Sequence, residues 1–305
     1  VTIIEKEEQI GGLLKSYNYG DFGVFDYGMH NFLETGIEEI DNMIFDLLPI
    51  DQWNILEGDK RDVAGIYFNG KIQFNSPYID IRDFKIDQVN DLQKHFANSE
   101  ISKHNLPRNA KEYTEIRFGK ELSEITTNIA LEKIFQKPSD ELDVGAIHFT
   151  PLSRLVTSNE KQTLEYYKSD FLRERIAFPE QKNLPVELSS GRRGYYPKQF
   201  GIFRIVKAIK EKILKNGGDI LTSSSLENVT IINDKIQKLK ILHNNEVKEL
   251  NNINTLIWTA NIFGLGNVLN YSFKGLKYDR PLKTYVVNIL VDQETKLGDL
   301  YYFFC

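Results

Sequence analysis

Val1-Thr2-Ile3-Ile4 is an apolar, β-rich run that closes on Glu5, the pattern of a buried strand ending in an acid. Ile10-Gly11-Gly12 follows, and the aromatic, glycine-punctuated stretch from Tyr17 to Phe25 reads as a short hairpin. From Ile37 to Leu48, apolar residues at 37, 40, 44, 47 and 48 recur at helical spacing, with Glu38, Glu39 and Asp46 between them, until Pro49 ends the helix. Residues 63–81 alternate around Asn69-Gly70 and predict strands at Gly65–Phe68 and Lys71–Phe74 joined by a two-residue turn. Between Phe84 and about Arg175 the pattern is mostly helical and polar, with Leu122, Ile125, Ile129 and Ile134 marking a helix broken at Pro138. Glu187 to Pro197 is loop chemistry throughout. The next helix runs from about Ile202 to Lys215, with Ile202, Ile205, Val206, Ile209 and Ile213 on one face and Gly217-Gly218 as its stop. Strands at 219–222, 226–232, 236–242 and 247–250, with turns at Asn233-Asp234 and Asn244-Asn245, make a β-meander. It feeds Thr255–Ala260, a near-continuous apolar run suited to the middle of a parallel sheet and expected in one sheet with Val1–Glu5.

A chain of 305 residues suggests about two domains, and 41% hydrophobic with 27% charged residues is an ordinary globular composition. The net charge of -5 excludes a broadly basic surface, so nucleic acid is not expected as a partner. Cys305 is the single cysteine, which rules out an intrachain disulfide, disfavours a thiolate metal site and fits the reducing cytoplasm. The five histidines, at 30, 95, 104, 148 and 243, show no ligand-like spacing, so no metal is expected. No apolar run approaches the roughly 20 residues of a membrane-spanning helix.

Glu5 is the first candidate for chemistry, because a carboxylate at a strand's carboxyl end accepts hydrogen bonds from the ribose of a bound dinucleotide. Its rival reading is a solvated strand end. In such folds a glycine-rich phosphate turn lies about 20 residues before the acid. Nothing precedes Val1, so the expectation is a fragment, or a protein lacking its first strand and helix. Gly11 and Gly12 read either as backbone brought close to a pyrophosphate or as a plain turn. His30, which follows Asp26-Tyr27-Gly28, reads as a donor to cofactor or substrate, or as a structural hydrogen-bonder. Arg192 and Arg193, beside Tyr195 and Tyr196, suit an anionic substrate group, and equally a solvated basic loop between two lobes.

Taken in order, these blocks resemble the flavin-containing amine oxidase superfamily, which includes protoporphyrinogen oxidases, phytoene desaturases and UDP-galactopyranose mutases. The matching residues are Val1 to Lys6 with Ile10-Gly11-Gly12, Phe25 to His30, Tyr196 to Gly218, Ile220 to Leu226, and Ile257 to Ala260. The resemblance implies an α/β fold: a glutathione-reductase-like, FAD/NAD(P)-binding Rossmann-type domain with a β-meander and an inserted, largely helical substrate domain, truncated at both ends. Residues 1–34 with 195–268 would form the FAD-binding domain, and 35–194 with 269–305 the substrate domain. Glu5 would hold the adenosine ribose, Gly11 and Gly12 the pyrophosphate, and Lys15 or Ser16 would lie near the same phosphates. Gly28 and His30 would lie close to the flavin ring, while Leu226, Thr259 and Ala260 would flank the adenine and the dinucleotide. The chain departs from the pattern in lacking both the preceding phosphate turn and the late glycine segment, and in placing Gln199-Phe200-Gly201 where relatives often carry a glycine pair.

The function this implies is an FAD-dependent oxidoreductase that moves a hydride between a small organic substrate and the flavin. A flavin-dependent isomerase of the UDP-galactopyranose mutase kind is the first rival. A non-catalytic binding protein that retains the fold is the second.

Overall fold

The computed structural model describes all residues of the chain except 29, 59–63, 86, 88–91, 93, 97–105, 190, 276–284, 299, 301 and 305. Met29, Cys305 and much of the expected helical stretch at 84–105 therefore lie outside the described residues. In chain order the strands and α-helices are β1 (Thr2–Ile4), β2 (Ser16–Asn18), β3 (Val24–Asp26), β4 (Phe32–Leu33), α1 (Glu38–Phe45), β5 (Trp53–Leu56), β6 (Ala64–Phe68) and β7 (Lys71–Gln73). Then come α2 (Ala110–Phe118), α3 (Lys120–Ile125), α4 (Thr127–Phe135), α5 (Glu160–Tyr166), α6 (Asp170–Arg173) and β8 (Gly194–Pro197). The chain continues through α7 (Phe203–Lys215), β9 (Asp219–Leu221), β10 (Ser224–Ile232), β11 (Lys235–His243), β12 (Glu246–Asn251), α8 (Ile262–Val268) and β13 (Tyr302–Phe304).

The chain divides into two compact units, residues 1–54 with 195–290 and residues 55–194 with 291–305. Residues 35–54, including α1, thus lie in the first unit. In that unit β1 and β9 pair in parallel, Thr2 opposite Asp219 and Ile4 opposite Leu221. β10, β11 and β12 form the antiparallel meander. Its two turns, Asn233-Asp234 and Asn244-Asn245, place all four residues at positive φ, the left-handed geometry that matches the twist of a two-residue hairpin and that Asn and Asp tolerate. Val229, Leu239, Ile241 and Val268 are the buried centre beneath the meander, with Ile4, Leu226 and Trp258 packed against it. A second packed group surrounds Trp53: its ring meets Phe45 and Tyr195 edge-on, and Phe45 stacks on Tyr195 at 3.9 Å. The indole N–H donates to Phe45 O at 3.1 Å, so the one polar atom of a nearly buried Trp is satisfied.

The second unit has a core of Ile79, Ile81, Phe118, Leu131, Ile147 and Leu155 with their neighbours. β6 and β7 form the hairpin expected around Asn69-Gly70, and β13 adds to β6 in parallel.

Three expectations are corrected. Thr255–Ala260 is not a strand: no described residue pairs with it, and Ile257 is 79% exposed. A β-rich sequence becomes a strand only with a ladder partner, and the parallel pair of β1 and β9 has no described third member. The single helix expected through Leu122 and Ile134 is two, because Thr126 leaves helical geometry at φ -128° and ψ -91° while its buried hydroxyl bonds back to Leu122 O. The helix expected from Ile37 to Leu48 ends at Phe45: Asp46 N–H still donates to Asn42 O at 3.0 Å, and Leu47 N–H turns to Ile44 O at 3.3 Å, a tighter closing turn.

Candidate functional site

The carboxyl ends of β1 and β9 meet the start of β10, the place where open α/β sheets bind ligands. Glu5 is pinned there on both sides: its N–H donates to Leu221 O at 2.8 Å, and its carbonyl accepts from Ser224 N–H at 2.9 Å. Its carboxylate Oε1 accepts the N–H of Glu7 at 2.8 Å, which orients the side chain, while the second oxygen has no partner among the described residues. Beside it opens a polar cleft of about 360 Å³, lined by Lys6, by Ser223 to Ser225 and by Leu242, Asn244 and Asn245.

His243, which carries no sequence signal, contacts two residues that line that cleft. The buried Ser224 hydroxyl lies 2.7 Å from Thr222 O and 2.6 Å from His243 Nδ1, and His243 Nε2 lies 3.2 Å from the Asn244 side-chain amide.

Downstream of Glu5, Gly11 and Gly12 both adopt left-handed φ, at 115° and 51°. They differ in what surrounds them. A Cβ on Gly11 would lie 3.0 Å from the Phe203 ring and 3.4 Å from Val206, so Gly11 lets α7 approach this turn. A Cβ on Gly12 would meet nothing within 4 Å, so the backbone there faces open space.

Ser16 and Asp26, opposite each other on β2 and β3, serve the start of α7. The Asp26 carboxylate accepts from the Ser16 hydroxyl, from Tyr196 OH at 2.6 Å and from Ile202 N–H at 3.0 Å, and Ser16 Oγ accepts from Phe203 N–H at 3.1 Å. No side chain of the helix's own cap residue does this work. Two orphan N–H groups are satisfied from the hairpin instead, with negative charge where the helix dipole favours it. Gly201, at φ 69°, is required for this approach: its Cβ would stand 2.5 Å from both Asp26 Oδ1 and Ser16 Oγ.

The other expected site residues are spread more widely. Lys15 accepts from Tyr27 N–H through its carbonyl at 3.1 Å. A Cβ on Gly28 would lie 3.7 Å from His30 Nε2, and that nitrogen is buried with no hydrogen-bond partner among the described residues. Leu226 packs into the meander core. Thr259 and Ala260 are exposed, between Trp258 and Asn261, whose side chain caps α8. Tyr195 is a core residue whose OH donates to Glu34 at 3.1 Å, whereas Tyr196 reaches Asp26. Arg193 Nε lies 3.9 Å from Glu57 in the second unit, and Arg192 is exposed. The structure thus gathers Glu5 with Lys6 and Ser223–Ser225, and separately Ser16 with Tyr196. Among the described residues no group of three or more potential metal ligands occurs, and no helix is long and apolar enough to cross a membrane.

Residues 1–47 match the family profile of the NAD(P)-binding Rossmann-like domain. Among solved structures, reduced UDP-galactopyranose mutase matches with a TM-score of 0.55 at 16% identity, over 89% of this chain and 52% of that one. A protein from Exiguobacterium named for protoporphyrinogen oxidase matches with a TM-score of 0.49 at 12% identity, over 81% of this chain and 51% of that one. At such identities the mutase likeness is one of fold, and the chain spans about half the length of these solved structures. No curated protein matches by sequence. The profile marks residues 1–47 as similar to a NAD(P)-binding Rossmann-like domain, and the likeness to the mutase supports a mixed α/β fold.

Proposed function

We propose that this chain binds FAD and belongs to a flavin-dependent oxidoreductase that moves a hydride between a small organic substrate and the cofactor. The observation that carries the reading is Glu5 at the carboxyl end of the parallel β1–β9 pair, with one carboxylate oxygen held by Glu7 and the other uncommitted beside a polar cleft. The open backbone at Gly12 and the orphaned, buried Nε2 of His30 fit the same cofactor, since each offers a polar group that the chain leaves unpaired or uncovered. When bound, the flavin supplies the hydride chemistry. Glu5 holds a ribose hydroxyl, the Gly11-Gly12 backbone approaches the pyrophosphate, and His30 Nε2 hydrogen-bonds at the ring or the substrate.

Glu5→Ala is expected to weaken FAD by about 1.5–3 kcal/mol, the range for a hydrogen bond to a charged group. Fluorescence titration of the apoprotein measures it, and an unchanged affinity sinks the ribose assignment. The fold shared with UDP-galactopyranose mutase supports a second reading, a flavin-dependent isomerase. An oxidoreductase bleaches its flavin band with substrate alone in the absence of oxygen. An isomerase turns over a nucleotide sugar only after prior reduction by dithionite.

A further inference from the structure

Helix α4 buries Thr127, Asn128 and Leu131, yet two of its isoleucines, Ile129 and Ile134, remain 52% and 38% exposed. With Ala130 they wall a cavity of about 180 Å³ in the second unit. Its floor is apolar, made by the buried Ile66 and Leu152 with Phe68 and Phe304. Exposed polar side chains also line it: Tyr67, Asn69 and Lys133. The Lys133 ammonium has no ion-pair partner among the described residues.

We propose that this cavity binds a small aromatic carboxylate, ring inward and carboxylate toward Lys133. Size selects the ring, because an apolar cavity of about 150 Å³ accommodates a benzene molecule. Charge selects the anion, since Lys133 is the one charged group among the lining residues. An exposed ammonium attracts an anion only weakly through water. Ring burial therefore supplies most of the affinity, and Lys133 supplies a preference of several-fold. The site uses side chains of the second unit alone and does not depend on the cofactor reading.

Benzoate and its uncharged counterpart benzyl alcohol, titrated separately into the full chain without added flavin, test it by saturation-transfer NMR. Benzoate is expected to saturate in the millimolar range or below, several-fold tighter than benzyl alcohol. Lys133→Met should abolish that preference while leaving benzyl alcohol unchanged. Ile129→Trp, a substitution at an exposed position that fills the cavity, should remove both. Absence of saturable binding, binding that survives Ile129→Trp, or a benzoate preference that survives Lys133→Met overturns the proposal.

Discussion

Gly201 and Gly12 both sit at positive φ, and comparing them separates backbone strain from steric exclusion. Gly201→Ala adds a methyl group 2.5 Å from two oxygens, whereas Gly12→Ala adds one to open space. The first is expected to cost about 2–4 kcal/mol and the second about 1 kcal/mol, the left-handed penalty alone. Urea midpoints of the two variants measure this, and equal losses would refute the tight packing of Gly201 on Asp26. Glu180 is a different case. Burial, reinforced by Glu160, holds its carboxyl above the usual range. A raised folded-state pKa gives stability that is full below the unfolded value of about 4.3 and is lost as pH rises through the folded value. Glu180→Gln should therefore stabilise the protein at pH 7 and leave it unchanged near pH 3.5, as thermal melts at the two pH values would show.

Between the hairpin of β2 and β3 and helix α7 the connection is a charged one. Asp26 takes donors from Ser16, Tyr196 and Ile202, so its removal leaves three polar groups short of a partner at once. Asp26→Ala is expected to cost about 2–4 kcal/mol, and Tyr196→Phe about 1–2 kcal/mol. The two changes delete one shared bond, so the double variant should lose less than the sum. Strict additivity in denaturant unfolding would show that the Tyr196 bond contributes nothing. The same element scale explains the split between α3 and α4: Thr126 has a hydroxyl that competes for a helical carbonyl, and burial at that point rewards the competition.

The second unit draws almost all of its core from one continuous stretch, Ile66 through Ile176, and takes only β13 from the chain's end. A segment that carries its own core folds alone. Residues 55–194 expressed by themselves are expected to show helical circular dichroism and a cooperative urea transition. A featureless, non-cooperative signal would mean that the β13 edge is indispensable. The first unit has no such stretch, since β1 and β9 pair across more than two hundred residues of sequence, and neither of its segments should fold in isolation.

Features with local causes are legible in the residues themselves. Asn69-Gly70, Asn233-Asp234 and Asn244-Asn245 specify their hairpins because their residues tolerate the left-handed turns that two-residue loops require. The stripe from Ile202 to Ile213 and the Gly217-Gly218 stop specify α7, and the run ending at Glu5 places an acid at a strand's end. Features that depend on partners distant along the chain emerge only on folding. Folding leaves Thr255–Ala260 without a ladder partner among the described residues, buries Thr127 and Asn128 of α4 while Ile129 stays exposed, and brings Tyr196 to Asp26 and His243 to Ser224. Periodicity tells which residues share a face. Only the neighbouring surface decides which face is covered and which polar atoms find a partner there.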